Sequence, residues 1–101
     1  MDFINRLLGK KLSKKEFNIL VSQGAIIVDV RSPVEFKSEG HLPGALNIPL
    51  QFIVQKATFL KEQNKPVITV CRHGVRSSMA VALLHNAGVE ARNGGSWSSL
   101  E

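Results

Sequence analysis

The chain has 101 residues, 44% of them hydrophobic, which suits one domain with one modest core. No apolar stretch approaches the ~20 residues of a membrane span. One cysteine and three scattered histidines, His41, His73 and His85, offer neither an internal disulfide nor a metal-ligand spacing. The net charge of +5 invites a nucleic-acid partner, but residues 1–15 hold Arg6, Lys10, Lys11, Lys14 and Lys15 against Asp2 alone, and the chain has no tyrosine to stack on bases. The excess reads as a solvated basic N-terminus, with no nucleic acid bound.

The opening "MDFINRLLGKK" is a poor secretory signal, because Arg6 interrupts its short apolar run and no small-residue cleavage site follows. The expected compartment is the cytoplasm. Phe3, Ile4, Leu7 and Leu8 can share one helical face, so residues 1–9 read as a short basic amphipathic extension ahead of a domain over 10–101. "LSKKEFNILVSQG" predicts a helix: Ser13 and Glu16 form a capping box, Phe17, Leu20 and Val21 share a face, and Gly24 stops it. "AIIVDV" is apolar apart from Asp29, as a central parallel strand is. "SPVEFKSEG" repeats the helix device, with Ser32 as N-cap, Pro33 at N1, Glu35 at N3 and Gly40 at the end. "HLPGALNIP" reads as a turn into a short strand.

"LQFIVQKATFLKEQ" has helical spacing at Leu50, Ile53, Val54, Ala57 and Leu60. "VITV" is another buried strand, "SSMAVALLHNAG" a helix ended by Gly88, and "VEA" a last strand. Strands and helices alternate over short connections. The expected fold class is therefore α/β, with a mostly parallel central sheet and helices on both faces. In such sheets, sites form where strands end and helices begin.

Two segments bring charged residues to such ends: Asp29 with Arg31, and the loop from Cys71 to Arg76. A loop of six residues between strand and helix can turn its backbone N–H groups inward, and the next helix adds unpaired N–H groups and a positive dipole end. Such a nest binds anions. Cys71 opens this loop, and Arg72 and Arg76 add charge near it. All three effects favour the thiolate, the nucleophilic form. A lone cysteine is often only a small buried hydrophobe; the flanking arginines and Gly74 favour the reactive reading.

At this point a family resemblance is visible. "CRHGVRS" resembles the active-site loop of the rhodanese, or thiosulfate sulfurtransferase, family. "DVRSPVEFKSEGHLPGALNIP" resembles that family's upstream signature, and "NGGSW" its closing GG-x-x-W stretch, here one residue shorter. The resemblance implies a rhodanese-like fold and a persulfide mechanism. Cys71 would attack the outer sulfur of a donor such as thiosulfate, sulfite would leave, and cyanide or a thiol would take the sulfur from the persulfide.

No cofactor or metal is implied. The chain holds no second cysteine, so the acceptor comes from outside, and a sulfur-relay protein is a further partner to consider. Arg72 and His73 look more like the cationic loops of thiosulfate users than the small neutral loops of mercaptopyruvate users. Arg72, His73, Gly74, Val75, Arg76 and Ser77 form the expected substrate-binding loop, with Gly74 supplying a backbone angle and Ser77 capping the next helix. Asp29 and Arg31 are supporting residues. Asp29 either orients the loop or a nearby arginine, or satisfies backbone donors at its strand end. Arg31 is expected to pair with Glu35, His41 to shape a turn with Pro43 and Gly44, and Trp97 to lie in the core.

Two other readings remain. One is a sulfur-carrier or docking module without turnover, using the same Cys71. The other is a cysteine phosphatase or arsenate reductase. Related phosphatases carry five residues between Cys and Arg, whereas this loop carries four. The shorter loop suits one sulfur atom better than a phosphate.

Overall fold

The computed structural model describes residues 10–101; the expected amphipathic extension over residues 1–9 lies outside the described residues. Its elements, in chain order, are α1 (Lys14–Ser22), β1 (Ile26–Asp29), α2 (Pro33–Ser38), β2 (Leu46–Asn47), a 3-10 turn (Leu50–Phe52), α3 (Ile53–Glu62), β3 (Val67–Cys71), α4 (Val75–Asn86), β4 (Ala91–Ser96) and a closing 3-10 turn (Trp97–Leu100). The four strands form one parallel sheet in the order β2-β1-β3-β4. Among the described residues, no helix is long and apolar enough to cross a membrane.

Local chemistry sets the early helices. Ser13 Oγ accepts the Glu16 amide while Glu16 accepts the Ser13 amide, and Ser32 with Glu35 makes the same reciprocal pair at the start of α2. Pro33 sits in the first turn, where its missing N–H costs nothing.

Alternation along the strands divides the core. Val28 and Val30 of the β1 region, with Val67 and Cys71 of β3, face Ile53, Ala57 and Leu60 of α3 and Ala80, Val81 and Leu84 of α4. Ile68 and Val70 face the other way, onto Leu12, Phe17, Leu42 and Leu100. The period of two in β3 therefore fixes the side on which Cys71 emerges, toward α4.

Three sequence expectations change here. Val21 and Val54 carry the helical spacing but stay exposed, because the stripe facing the sheet is narrower than the apolar pattern. The last strand is not "VEA" but Ala91–Ser96: Asn93 and two glycines, residue types that strands disfavour, lie inside it. The register between β3 and β4 slips at Thr69/Val70, so that Asn93 pairs with Thr69 and Gly95 with Val70. Gly94 occupies the bulge, where a Cβ would lie 2.8 Å from Val70 Cγ1 and 2.9 Å from Ile68 Cγ2. Trp97 is half-buried against the second core cluster rather than enclosed by it.

Candidate active site

The expected six-residue loop is tighter than its sequence implies. Cys71 is still the last residue of β3, and α4 begins at Val75, so only Arg72, His73 and Gly74 connect them. Gly74 makes this turn at φ 98°, a left-handed angle that a side chain resists. It is also the residue at the N-cap. Ser77 does not cap α4, because it lies inside the first turn and its hydroxyl is engaged elsewhere.

That turn brings backbone donors onto the sulfur. Cys71 Sγ accepts the Gly74 N–H at 3.0 Å and the Ser77 N–H at 3.4 Å, and Ser77 Oγ stands 3.4 Å away. The cysteine is only 1% exposed. Burial, the largest single influence, pushes its thiol up. The Ser77 hydroxyl and amide, with the Gly74 and His73 amides, together outweigh burial and hold the thiol below its ordinary value. The sulfur is thus a buried thiol held toward its anionic form by the Ser77 hydroxyl together with oriented N–H groups.

A buried polar network fixes the donors. Ser77 Oγ donates to Asn93 Oδ1 at 2.6 Å, and the Gly95 N–H donates to the same oxygen at 2.9 Å. Asn93 Nδ2 lies 3.4 Å from the Gly74 carbonyl, and Thr69 Oγ1 donates to the Ser77 carbonyl at 2.8 Å. Asn93 is 2% exposed. Sequence reasoning missed both Asn93 and Thr69. The signal was present, since a polar residue inside a buried strand needs a partner, but the partner lies across the sheet.

The arginines are arranged differently from expectation. Arg31 does not pair with Glu35. It is fully buried and meets Asp29, two residues back on the same strand face, through Nε and Nη2 at 2.8–3.2 Å. It also donates to the Gly40 carbonyl at 2.7 Å, and its Cζ lies 4.8 Å from the Trp97 ring centroid. The Asp29 carboxylate accepts the Arg31 amide as well, so both expected uses of Asp29 coexist. Glu35 is taken instead by Arg76, whose two terminal nitrogens grip its two oxygens at 2.7 and 2.8 Å. The Arg76 hydrogen bond, foremost, holds the Glu35 carboxyl down to about 2. Arg76 is raised in turn, first by Glu35, and it also senses the charge of Cys71.

Arg72, His73 and Val75 stand exposed around the turn. Cys71, Arg72, His73, Gly74, Val75, Arg76 and Ser77 are therefore gathered at one sheet end. Asp29 and Arg31 form a separate buried pair at the end of the neighbouring strand, linked to the loop through Glu35. His41 stacks on Phe36 and hydrogen-bonds its carbonyl at 2.8 Å, as a turn residue. Two clefts, of ≈ 310 and ≈ 420 Å³, lie away from the sulfur, one lined by Lys61, Asn64 and Gly88, the other by Leu46 and Phe59. Neither touches the loop. The oriented donors lie at the strand end instead.

Compared with known families, residues 13–97 match the rhodanese-like domain. The chain belongs to the rhodanese family. This rhodanese-like domain is 36% identical over 81 residues to the thiosulfate sulfurtransferase GlpE of Pseudomonas syringae, covering 78% of the chain and 73% of that relative. Among solved structures it resembles the human single-domain sulfurtransferase TSTD1, with TM-score 0.70, 30% identity, and 88% and 92% of the two chains covered. It also resembles a rhodanese with anions from E. coli, with TM-score 0.68, 29% identity, and 75% and 91% covered. The fold expected from the resemblance is the fold observed. The kinship to sulfurtransferases carries the general chemistry of sulfur transfer; the particular donor and acceptor are a separate matter.

Proposed function

We propose that this rhodanese-like domain is a thiosulfate sulfurtransferase that carries a sulfane sulfur on Cys71. The carrying observation is the buried Cys71 Sγ accepting N–H groups from the turn and first helical turn that follow it. Those amides favour the thiolate. The thiolate attacks the outer sulfur of thiosulfate; the new S–S bond forms as the old one breaks, and the electron pair leaves with sulfite. The outer sulfur of the persulfide then stands farther from the sheet, within reach of an external nucleophile. Cyanide or a thiolate attacks it, the Cys71–sulfur bond breaks, and the Cys71 thiolate is restored.

In this scheme Gly74, Ser77 and His73 supply backbone donors for the sulfur and for the charge developing on sulfite. Arg72, His73 and Val75 border the approach, and Arg76 is a positioning residue that ties α4 to α2 through Glu35. Asp29 with Arg31 supports the same end of the sheet. The compartment is the cytoplasm, where a reducing poise keeps a single thiol free. The acceptor is an external thiol, free or on a sulfur-relay protein.

Cys71→Ser tests the reading. It should abolish thiosulfate:cyanide sulfur transfer while leaving the circular dichroism and melting of the domain in place. Retained turnover in the folded variant would contradict it.

A further inference from the structure

The cations around the loop do not balance as the sequence suggests. Thiosulfate is a dianion, and a Cys71 thiolate adds a further negative charge. Arg76 faces the loop but is committed to Glu35 by two short hydrogen bonds, so much of its charge is already answered. A different cation lies close by. Residue 11 bridges in parallel to Asn93 at the edge of β4, and the next amide, of Leu12, donates to the Asn93 carbonyl at 2.8 Å. This anchors the Lys11 backbone beside the network that holds Ser77.

From there the Lys11 stem runs over two glycines. A Cβ on Gly95 would lie 2.6 Å from Lys11 Cδ and 3.3 Å from its Cγ. A Cβ on Gly74 would lie 3.7 Å from Lys11 Cδ and 3.8 Å from its Cε. Gly95 leaves the groove the stem fills, and Gly74 is the residue whose amide is bonded to Cys71 Sγ at 3.0 Å. The ammonium is one bond beyond Cε. The exposed Lys11 side chain thus passes the turn that holds the sulfur, at the N-terminal end of α4, with its stem lying along backbone.

We propose that Lys11 is a substrate-binding cation of this anion site, delivered over the Gly74–Gly95 saddle to meet the anionic sulfur donor. The inference rests on reading the loop as an anion-binding thiol site, and it gives the basic N-terminal region a part in that site rather than a solvated role only. The same side-chain packing recurs at the opposite end of the sheet, where Lys61 Cε and Nζ would lie 3.4 and 3.0 Å from a Cβ on Gly88. Lys61 is thus a control for loss of a lysine from a glycine surface.

Alkylation of Cys71 by iodoacetate and by iodoacetamide separates charge from reactivity. The two reagents form the same carbon–sulfur bond and expel the same iodide, but only iodoacetate is an anion. The ratio of their rate constants, taken at low ionic strength and at a pH where the thiolate is fully formed, reads the local potential. Lys11→Met should lower the iodoacetate-to-iodoacetamide ratio about two- to fivefold, as expected for one partly exposed cation. Lys11→Arg should restore it, and Lys61→Met should leave it as in the wild type.

An unchanged ratio in folded Lys11→Met would overturn the proposal. Lys11→Gln gives the same decision if the methionine variant fails to fold. The assay uses no sulfur donor, so a chain that never accepts sulfur from thiosulfate yet shows the Lys11 effect would refute the sulfurtransferase reading and keep the cation.

Discussion

Arg76 and Glu35 lie 41 residues apart in sequence and meet through two hydrogen bonds of 2.7 and 2.8 Å, joining the first turn of α4 to the first turn of α2. The same glutamate completes the capping box with Ser32 and offers its backbone carbonyl to Arg31 at 3.4 Å. One side chain thus ties α4 to the buried Asp29–Arg31 pair.

The pair makes stability depend on acid. The Glu35 carboxyl is held down to about 2 by Arg76, below its value in an unfolded chain. A depressed carboxyl contributes stability above the unfolded value, near ~4.3, and loses it as pH falls through the folded one. Glu35→Gln should therefore lower stability at pH 7 by about 1 kcal/mol, and the gap between variant and wild type should close between about pH 4 and 2. Urea unfolding at several pH values measures this. A gap that persists unchanged to pH 2 would contradict the assignment.

The Ser77 hydroxyl lies between the sulfur and a buried amide oxygen, 3.4 Å from Cys71 Sγ and 2.6 Å from Asn93 Oδ1. Ser77→Ala removes the hydroxyl but keeps the amide. The Cys71 thiol should then rise toward its ordinary value, seen as a shift of the alkylation rate profile to higher pH. The domain should lose about 1 kcal/mol, since the variant removes one donor to the buried Asn93 amide oxygen. A profile unmoved by Ser77→Ala would leave the backbone N–H groups as the only activating donors.

Gly74→Ala places a side chain at φ 98°, which costs about 1–2 kcal/mol. The added Cβ would also meet Gly95 Cα at 3.5 Å. Relaxing that strain moves the 74 amide from Sγ, so sulfur transfer should fall further than stability does. Equal activity at equal enzyme concentration would mean that this amide does not matter.

Inserting one glycine after Gly74 widens the turn between sulfur and Arg76. Misplacing the donors by about an ångström should cost on the order of 100-fold in thiosulfate turnover. Aryl phosphate hydrolysis should be negligible in the wild type; efficient hydrolysis there would favour a phosphatase instead.

The parts that were legible in the sequence depend on neighbours in the chain. Ser13 with Glu16 and Ser32 with Glu35 are three residues apart, and both capping boxes form. The apolar runs around Val28 and Ile68 mark buried strands, and the alternation of strands with helices predicts the parallel sheet. The cysteine at the end of such a strand, with Gly74 after it, marks the loop.

What was not legible depends on partners brought together by folding. Arg31 has carboxylates at positions 29, 35 and 39 to choose from in sequence, and the fold sets Asp29 against it at 2.8 Å, Glu39 at 3.9 Å and the Trp97 ring over its guanidinium, while Glu35 goes to Arg76. Asn93 lies beyond the "VEA" expected as the last strand, in a glycine-rich stretch of low strand propensity. Its role follows from a bulge that depends on Gly94 fitting against Val70 and Ile68. The first residues of α4 read as loop because the left-handed Gly74 starts the helix without a side-chain cap.

Sulfur carried on Cys71 would be visible directly as mass. Mass spectrometry of the intact chain after incubation with thiosulfate, followed by peptide mapping, tests for it most directly. The expected result is a gain of one sulfur atom, located at Cys71, removed by cyanide and absent from Cys71→Ser. A folded chain whose Cys71 alkylates readily but gains no sulfur at any thiosulfate concentration would contradict it.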